Sequence, residues 1–260
     1  MALHGVLGDI HGNREALAAV LAFFERRGAA RVLCTGDIVG YNADADACAA
    51  LLSARGALAV AGNHDLISIG RLGFARCSQP AEYALRRTRR RLAPASAEYL
   101  GALPAQRRVG EHILLVHGSV EDVERRLATP EEARRDAALL RARFAQVRVC
   151  FYGHLHAQKV FEIDGGAARE LAGERLRLRP DRLYYVNPGS VDAARRRAPR
   201  LAECALFDDA TLELELHRLA YDDAASETRA AARGYRIGPW MDRYYGWRRR
   251  LARFVQAAGG

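Results

Sequence analysis

Aspartate, asparagine and histidine stand next to glycine in five short motifs of this 260-residue sequence. The motifs are Gly8-Asp9-Ile10-His11-Gly12, Gly36-Asp37, Gly62-Asn63-His64-Asp65, His117-Gly118 and Gly153-His154-Leu155-His156. Their candidate metal ligands are two carboxylates, one amide and four imidazoles: Asp9, Asp37, Asn63, His11, His117, His154 and His156. A mixed oxygen and nitrogen set without thiolate fits Mn²⁺, Fe, Zn²⁺, Ni²⁺ or Co²⁺ better than Ca²⁺ or Mg²⁺. The motifs therefore predict a transition-metal site.

The number of candidate ligands suits two ions rather than one. If Asp37 bridges, each of two metals receives four protein ligands. Asp9 and His11 are spaced i, i+2, as are His154 and His156; in an extended chain such residues point the same way, so each pair can address one centre. Two divalent ions opposed by two carboxylates and one hydroxide would leave a positive centre that attracts phosphate oxygens. This arrangement indicates in-line displacement at phosphorus.

Each motif follows an apolar, strand-like run. The predicted strands span 3–7, 31–35, 57–61, 112–116 and 147–152. Open α/β sheets bind ligands beyond the carboxyl ends of their strands, and glycine beside a ligand lets the backbone approach closely. We therefore expect all five motifs to meet at one rim.

The remaining pattern predicts how these strands are covered. Helices are expected at 15–27, 45–54 and 130–144, and a hairpin at 107–116. Residues 86–91 are expected to lie in a polar helix that Pro94 ends, and residues 96–103 in another that Pro104 ends. Further strands are expected at 160–163, 183–186, 202–207 and 212–216, followed by a polar helical segment at 222–258. An α/β half followed by a β-rich half predicts two facing sheets with helices outside.

The five motifs, in this order, resemble the calcineurin-like metallophosphoesterase superfamily, and most closely its small prokaryotic phosphodiesterase-like members. The resemblance extends through Asp37-Ile38-Val39-Gly40-Tyr41, Asn187-Pro188-Gly189-Ser190 and Tyr221-Asp222, so it covers nearly the whole chain. It implies an α/β (α+β) fold, a four-layer αββα sandwich of two facing mixed β-sheets. Residues 1–220 would form the metallophosphoesterase domain, and 221–260 a C-terminal helical extension packed on it. Asn42, where many relatives have glycine, and segment 66–80 depart from the family pattern and leave the substrate open.

The resemblance also implies a role for each motif residue. The first metal would be held by Asp9, His11, Asp37 and His156, and the second by Asp37, Asn63, His117 and His154. His64 would stabilise the transition state or protonate the leaving oxygen, and Asp65 would orient His64. Two divalent transition-metal ions are expected. Manganese is the first choice for their identity, with iron, zinc, nickel or cobalt as alternatives.

Three residues near the motifs are candidates for substrate binding, each with a structural alternative. Asn13 could present its amide to phosphate or cap the helix that follows it. Arg14 could clamp phosphate or lie in solvent. Tyr41 could line the pocket or pack a loop. The loop Asn187–Ser190 is expected near the site, with no nucleophilic role for Ser190.

The function predicted is hydrolysis of a phosphodiester, of a nucleotide-type or other small substrate, by a metal-bridging hydroxide. The preference for diesters comes from the family resemblance alone. The alternatives are a phosphomonoesterase or phosphoprotein phosphatase with the same site, and a non-catalytic regulator that binds metal or nucleotide. The presence of His64 argues against the regulator.

The charge balance adds little to this prediction. The chain has 40 Lys plus Arg against 31 Asp plus Glu, a net charge of +9, but Lys159 is its only lysine. An arginine-biased composition explains the charge without a polyanion, so nucleic acid is not the favoured partner. The arginine clusters at 86–91, 195–197 and 248–250 are then mostly solvated surface, although 195–197 could line the mouth of the site. Trp240, Tyr244 and Trp247 share one face of a predicted helix. This face could pack on the domain or on a second subunit, or it could form a lid over the site that stacks on a base.

Sequence features also bear on compartment. No apolar run reaches the length of a membrane span, and the first residues do not resemble a signal peptide, so a cytoplasmic protein with no membrane partner is expected. The five cysteines are scattered without a CxxC pair, which indicates neither a disulfide framework nor a zinc ribbon. A homo-oligomer is compatible with the sequence.

Overall fold

Twelve strands form two six-stranded sheets in a computed structural model that describes residues 2–192 and 199–238. The first sheet has the order β3 (Leu58–Ala59), β2 (Arg31–Cys34), β1 (Leu3–Leu7), β11 (Ala202–Asp208), β12 (Glu213–Leu219) and β9 (Arg175–Arg177). The second has the order β4 (Arg107–Val109), β5 (Ile113–Leu115), β6 (Val149–Phe151), β10 (Leu183–Pro188), β7 (Gln158–Asp164) and β8 (Ala167–Glu170). Strands β1–β3 run parallel, as do β5, β6 and β10, and the other pairs are antiparallel. Both sheets are mixed, as predicted.

The two sheets face each other across a shared apolar core. Alternation along each strand sends one side chain to this core and the next to the outer face. In β1, Val6 points between the sheets and Leu7 outward; in β6, Phe151 points between the sheets and Cys150 outward. The near-continuous apolar strands of the sequence thus reflect burial on both faces.

Helices cover both outer faces. The first sheet carries α1 (Arg14–Arg26) and α2 (Ala45–Ala54), with α5 (Pro94–Gly101) packed on α2, and the second carries α6 (Pro130–Arg143). The buried stripe of α1 contains Leu17, Val20, Leu21 and Phe24, and each fully buried side chain of this size contributes about 1.5–3 kcal/mol. A Cβ at Gly5 would lie 2.4 Å from the Phe24 ring, so this glycine allows the ring to pack directly on β1. The predicted four-layer αββα sandwich is confirmed.

Three elements were not predicted. The six-residue helix α3 (Asn63–Ser68) begins inside a ligand motif and is too short to show apolar periodicity. Strands β8 and β9 are polar edge strands with few buried residues, so they lack the alternation that marks a strand. Helix α4 (Gln79–Arg91) contains the segment 86–91, which was predicted to lie in a helix, and it begins at the cap provided by Ser78.

The C-terminal helix is shorter than predicted. Helix α7 (Asp223–Ala232) ends where Gly234 adopts a positive φ of 73°, and residues 233–238 are not helical. The prediction that the whole segment 222–258 is helical is therefore wrong at 233–238. Helix α7 packs on α1, with Arg229 2.5 Å from Glu15 and 3.2 Å from Asp44.

Some predicted features lie outside the described residues. They are Arg195–Arg197, the tail residues Trp240, Tyr244 and Trp247, and the cluster at 248–250. The division into 1–220 and 221–260 stays a prediction. No helix in the described ranges is long and apolar enough to cross a membrane.

Candidate metal centre

The five glycine-flanked motifs meet at one rim of the sandwich, as predicted. Strands β1, β2 and β3 deliver their motifs from the first sheet, and β5 and β6 from the second. Hydrogen bonds join the loops: the amide of Asp9 donates to the Gly36 carbonyl (3.0 Å), that of His11 to the Asp37 carbonyl (2.9 Å), and that of Gly153 to the His117 carbonyl (2.8 Å). The His64 amide donates to Asp37 (2.8 Å) and the His154 amide to Asp9 (3.2 Å), so all five loops form one bonded layer above the strand ends.

The ligand residues themselves adopt a left-handed backbone conformation. Five of the six non-glycine residues with positive φ in the described chain are candidate ligands, namely Asp9 (51°), His11 (52°), Asp37 (54°), His154 (64°) and His156 (58°). Such a conformation costs about 1–3 kcal/mol per residue and persists where the surroundings enforce it, typically at functional sites. The interpretation of the two i, i+2 pairs as extended chain is therefore wrong. Left-handed turns after the strands, and not strand alternation, place Asp9 and His11 in one ligand group. His154 and His156 belong to different groups, so the prediction that each pair addresses one centre is wrong for this second pair.

The side chains form two groups that share one carboxylate. Ligand atoms of Asp9, His11, Asp37 and His156 lie within 4.8 Å of one another, and so do those of Asp37, His117 and His154. The Asn63 Oδ1 atom is 3.1 Å from Nε2 of His117, which places the predicted amide ligand beside the second group. The structure thus brings together all seven predicted ligands, in the two predicted sets.

The donor set fits two divalent cations. The Oδ2 atom of Asp9 is buried and accepts no hydrogen bond from any described residue. The Nε2 atoms of His11 and His156 approach to 2.9 Å, so both rings aim at the same point. The Nδ1 atom of His117 lies 2.7 Å from the carbonyl oxygen of Thr35. When Nδ1 donates its proton to this oxygen, the lone pair of Nε2 is directed toward Asp37 and can bind a metal, which is the usual arrangement of a metal-bound histidine.

Without metal, the charges at the site depend on Asp37. Burial raises the pKa of this carboxyl, but the His117 and His64 rings outweigh it and hold the pKa well below its usual range. Burial lowers the pKa of His117, yet Asp37 raises it to about 9. Burial lowers the pKa of His154 to about 4, so this ring stays neutral and able to bind metal. A cation at the second group would take the place of the His117 proton.

His64 lies against the shared carboxylate and faces the open side of the site. Its Nε2 is 4.0 Å from Oδ2 of Asp37, and its side chain is 7% exposed. The ring packs on His11, with centroids 4.7 Å apart, and on Tyr41 at 4.9 Å. This position, beside the metal ligands but outside both groups, suits a group that donates to substrate.

Asp65 acts on the backbone. Its two carboxylate oxygens accept hydrogen bonds from the amides of Val39 (3.1 Å) and Gly62 (2.9 Å). Burial, followed by the charge of Asp37, raises its pKa to about 7. Asp65 therefore fixes the start of α3, from which His64 projects, and it can orient His64 through that turn.

The three predicted substrate-binding residues have different surroundings. Asn13 caps α1: its Oδ1 accepts from the amide of Ala16 (3.1 Å), and its Nδ2 donates to Asp192 (2.9 Å). Arg14 is partly exposed and pairs with Glu15 at 3.1 Å. Tyr41 lines the cavity of the site and contacts the His11 ring edge-on, with centroids 4.8 Å apart.

The ligand loops are supported by hydrogen bonds from neighbouring residues, of which the sequence predicted only some. The loop Asn187–Ser190 was expected near the site, and its contacts confirm this: Ser190 Oγ donates to the Asp9 carbonyl (2.9 Å), and Asn187 to that of Gly153 (2.9 Å). Asp192 was not predicted, although its buried Oδ1 accepts from both Asn13 (2.9 Å) and Asn42 (2.6 Å). A single aspartate in a loop carries no sequence signal for such a contact.

A cavity of about 540 Å³ gives access to the two groups. Besides residues of the metal motifs and Tyr41, its lining includes Arg76, Cys77, Ser78, Glu124 and Arg126. None of these five was predicted. They come from the segment after α3, which matched no family pattern, and from the loop after β5.

Comparison with known proteins agrees with this geometry. The model of the calcineurin-like phosphoesterase superfamily domain matches residues 2–211. An uncharacterized protein of Methanocaldococcus jannaschii is 29% identical over 220 residues, which cover 84% of this chain and 87% of that protein.

Solved structures show the same architecture. A metallophosphoesterase from Sphaerobacter thermophilus superposes with a TM-score of 0.76 at 26% identity, over 92% of this chain and 96% of the other. A hypothetical protein from Pyrococcus horikoshii OT3 has the same fold, with a TM-score of 0.69 at 19% identity over 91% and 95% of the two chains. The chain therefore belongs to the calcineurin-like phosphoesterase superfamily.

Proposed function

We propose that the protein is a hydrolase of phosphodiesters in nucleotide-type or other small substrates, dependent on two divalent transition-metal ions. The observation that carries this proposal is the position of Asp37, which belongs to both ligand groups and lies 4.0 Å from His64. One carboxylate thus links two cation sites to a candidate proton donor.

The metals would be held by the two groups around Asp37, with Asn63 added to the second. Two divalent ions bound there would withdraw charge from the phosphoryl oxygens and lower the pKa of water at the site. Manganese is our first choice, and iron, zinc, nickel and cobalt, which also suit oxygen and nitrogen ligands without thiolate, are the alternatives. Most of the ligand side chains are buried, and charge interactions are stronger there than in bulk water.

His64 would act on the leaving group. Its ring lines the cavity, and a protonated Nε2 could donate to the oxygen that leaves phosphorus. Asp37 accepts a hydrogen bond from the His64 amide (2.8 Å), and the Tyr41 and His11 rings flank the imidazole. This support keeps the ring at a fixed place relative to the ligands.

The size of the cavity supports a diester of nucleotide size. Ligand pockets of about 300–1,000 Å³ accommodate small organic molecules, and this one, at about 540 Å³, extends from the ligands to segment 76–81. A monoester would need room on one side of phosphorus only.

The proposal is tested by assaying bis(p-nitrophenyl) phosphate and p-nitrophenyl phosphate side by side after loading with Mn²⁺. We expect a higher kcat/KM for the diester and loss of both activities with a chelator. A clear preference for the monoester would make the protein a phosphomonoesterase. No hydrolysis of either ester by fully loaded protein would favour a regulator that binds metal or nucleotide.

We also propose a cytoplasmic location. All five cysteines are free, and four of them are buried. Free thiols are the rule in a reducing compartment.

A further inference from the structure

Two chain segments form the walls of the cavity above the metal ligands. One wall carries Arg76, and the other carries Glu124 and Arg126. Arg76 joins the walls, since its Nη1 is 2.8 Å from Asp122 and 3.5 Å from Glu124. The positive charge of Arg76 is thus balanced by Asp122 and Glu124, and the negative charge of Glu124 is balanced by Arg76.

Arg126 differs from Arg76 in its surroundings. No carboxylate of the described residues lies within ion-pair distance of its guanidinium. Its Nη2 is 3.5 Å from the carbonyl oxygen of Leu155, the residue between the ligands His154 and His156. The side chain is exposed to solvent and presents, at the cavity wall, a charge that no carboxylate of the described residues neutralises. It lies next to a loop that holds one ligand of each metal group.

We propose that Arg126 binds a second phosphate group of the substrate while the scissile phosphate lies at Asp37 and His64. This inference rests on the proposed function. The substrate class it implies is a phosphoester that carries an additional phosphate, such as a nucleoside bisphosphate or polyphosphate ester.

The chemistry of the guanidinium supports this assignment. Arginine presents paired N–H donors in a plane that matches two phosphate oxygens, and such charge-assisted bonds are stronger than neutral ones. Because Arg76 is already paired with Asp122, it has less capacity to bind an anion. The contact with the Leu155 carbonyl occupies only part of the five donors of Arg126. The remaining donors are available to a phosphate in the cavity.

The inference is tested with two chromogenic diesters that share one leaving group: the p-nitrophenyl ester of thymidine 5′-phosphate, with and without a 3′-phosphate. The wild-type protein, loaded with Mn²⁺, should have a lower KM for the 3′-phosphorylated ester. Arg126→Ala should raise this KM about tenfold or more, as expected for a lost charged hydrogen bond, and change the KM of the other ester less than twofold. Arg125→Ala removes the same charge one residue away and outside the cavity lining, so it should leave both KM values unchanged.

Three outcomes would overturn the inference: equal KM values for the two esters in the wild type, an equal rise for both esters in Arg126→Ala, or the same effect in Arg125→Ala. Any of these would make Arg126 an ordinary surface cation or a general electrostatic contributor. If neither ester is hydrolysed, the proposed function fails, and calorimetry then decides the binding question separately. Tighter binding of thymidine 3′,5′-bisphosphate than of thymidine 5′-phosphate, lost in Arg126→Ala, would support the anion site without turnover; equal binding would reject it.

Discussion

Asp37 contacts His64 through both carboxylate oxygens: Oδ1 accepts the His64 amide at 2.8 Å, and Oδ2 lies 4.0 Å from Nε2 of the ring. The same Oδ2 is 3.9 Å from His11 and 3.4 Å from His117, which belong to different ligand groups. One side chain therefore sets the spacing between two cation sites and the position of the candidate proton donor.

The first prediction concerns Asp37→Asn. The amide keeps the shape of the side chain but removes the charge that both cation sites share, so we expect two metals per chain in the wild type and fewer than one in the variant. Elemental analysis after dialysis measures this. Asp9→Asn is the matched control, because Asp9 belongs to one group only and its loss should affect that site more. Two metals retained in Asp37→Asn would exclude Asp37 as a shared ligand.

The second prediction concerns His64→Ala. Since His64 lies outside both ligand groups, the variant should bind two metals as the wild type does. Removing a general acid typically lowers the rate about 10²–10⁴-fold, and we expect a fall in kcat of that size with little change in KM. The pH profile of kcat provides a second readout, because the alkaline limb, where a general acid loses its proton, should disappear in the variant. Wild-type turnover in the variant would remove His64 from the chemistry.

Much of this site is accessible from the sequence because its ligands follow apolar strands directly. The strands at 3–7 and 31–34 are short runs flanked by glycine, and the rule that ligands lie at strand ends then places Asp9 and Asp37 together. The sequence pattern did not reveal the left-handed conformation of the ligands, which hydrogen bonds between separate loops enforce. A positive φ is uncommon for residues other than glycine, and although Asp and His adopt it more often than most, their presence alone does not predict it.

The cavity walls were beyond sequence reasoning for a different reason. Arg76 and Asp122 are 46 positions apart, and their pairing depends on how two irregular segments cross above the site. Similarly, Asp192 reaches the ligand loops only because Val191 and Asp192 donate their amides to the carbonyls of Gly8 and Asp9 (3.0 and 3.1 Å). Charged residues in loops carry no periodicity, so only the fold identifies these contacts.

The third prediction concerns Asp192→Ala. This change removes the acceptor shared by the buried Asn13 and Asn42 amides. Each amide loses its hydrogen bond to a carboxylate, while Asn13 keeps a longer contact with the Tyr221 hydroxyl (3.4 Å). A hydrogen bond to a charged group contributes about 1.5–3 kcal/mol, so the free energy of unfolding in denaturant titrations should fall by about that amount. Asn42 also donates to the His11 carbonyl (3.2 Å), so metal affinity should weaken as well. Asp181→Ala, which removes a carboxylate from an exposed ion pair, is the control and should change neither quantity. Wild-type stability in Asp192→Ala would show that the two amides find other partners.

The last prediction concerns the pH dependence of the contact between α7 and the loop after β2. Hydrogen bonds from Arg236, and secondarily from Arg200, lower the pKa of Glu227 from its ordinary 4.5 to about 2. Because the folded-state pKa is the lower one, the unfolded chain binds more protons between these values. The stabilisation by Glu227 is therefore complete above about pH 4.5 and is lost as the pH falls toward 2.

Urea unfolding of the wild type and of Glu227→Gln across this range measures the effect. The difference in free energy of unfolding should be largest near neutral pH and shrink as the pH approaches 2. Arg236 also donates to the Tyr41 carbonyl (3.1 Å) and to Oδ1 of Asn42 (2.8 Å), so its release should loosen the loop that carries Tyr41 into the cavity. A difference that stays constant from pH 6 to pH 2.5 would show that the effect of the variant does not depend on the charge of Glu227.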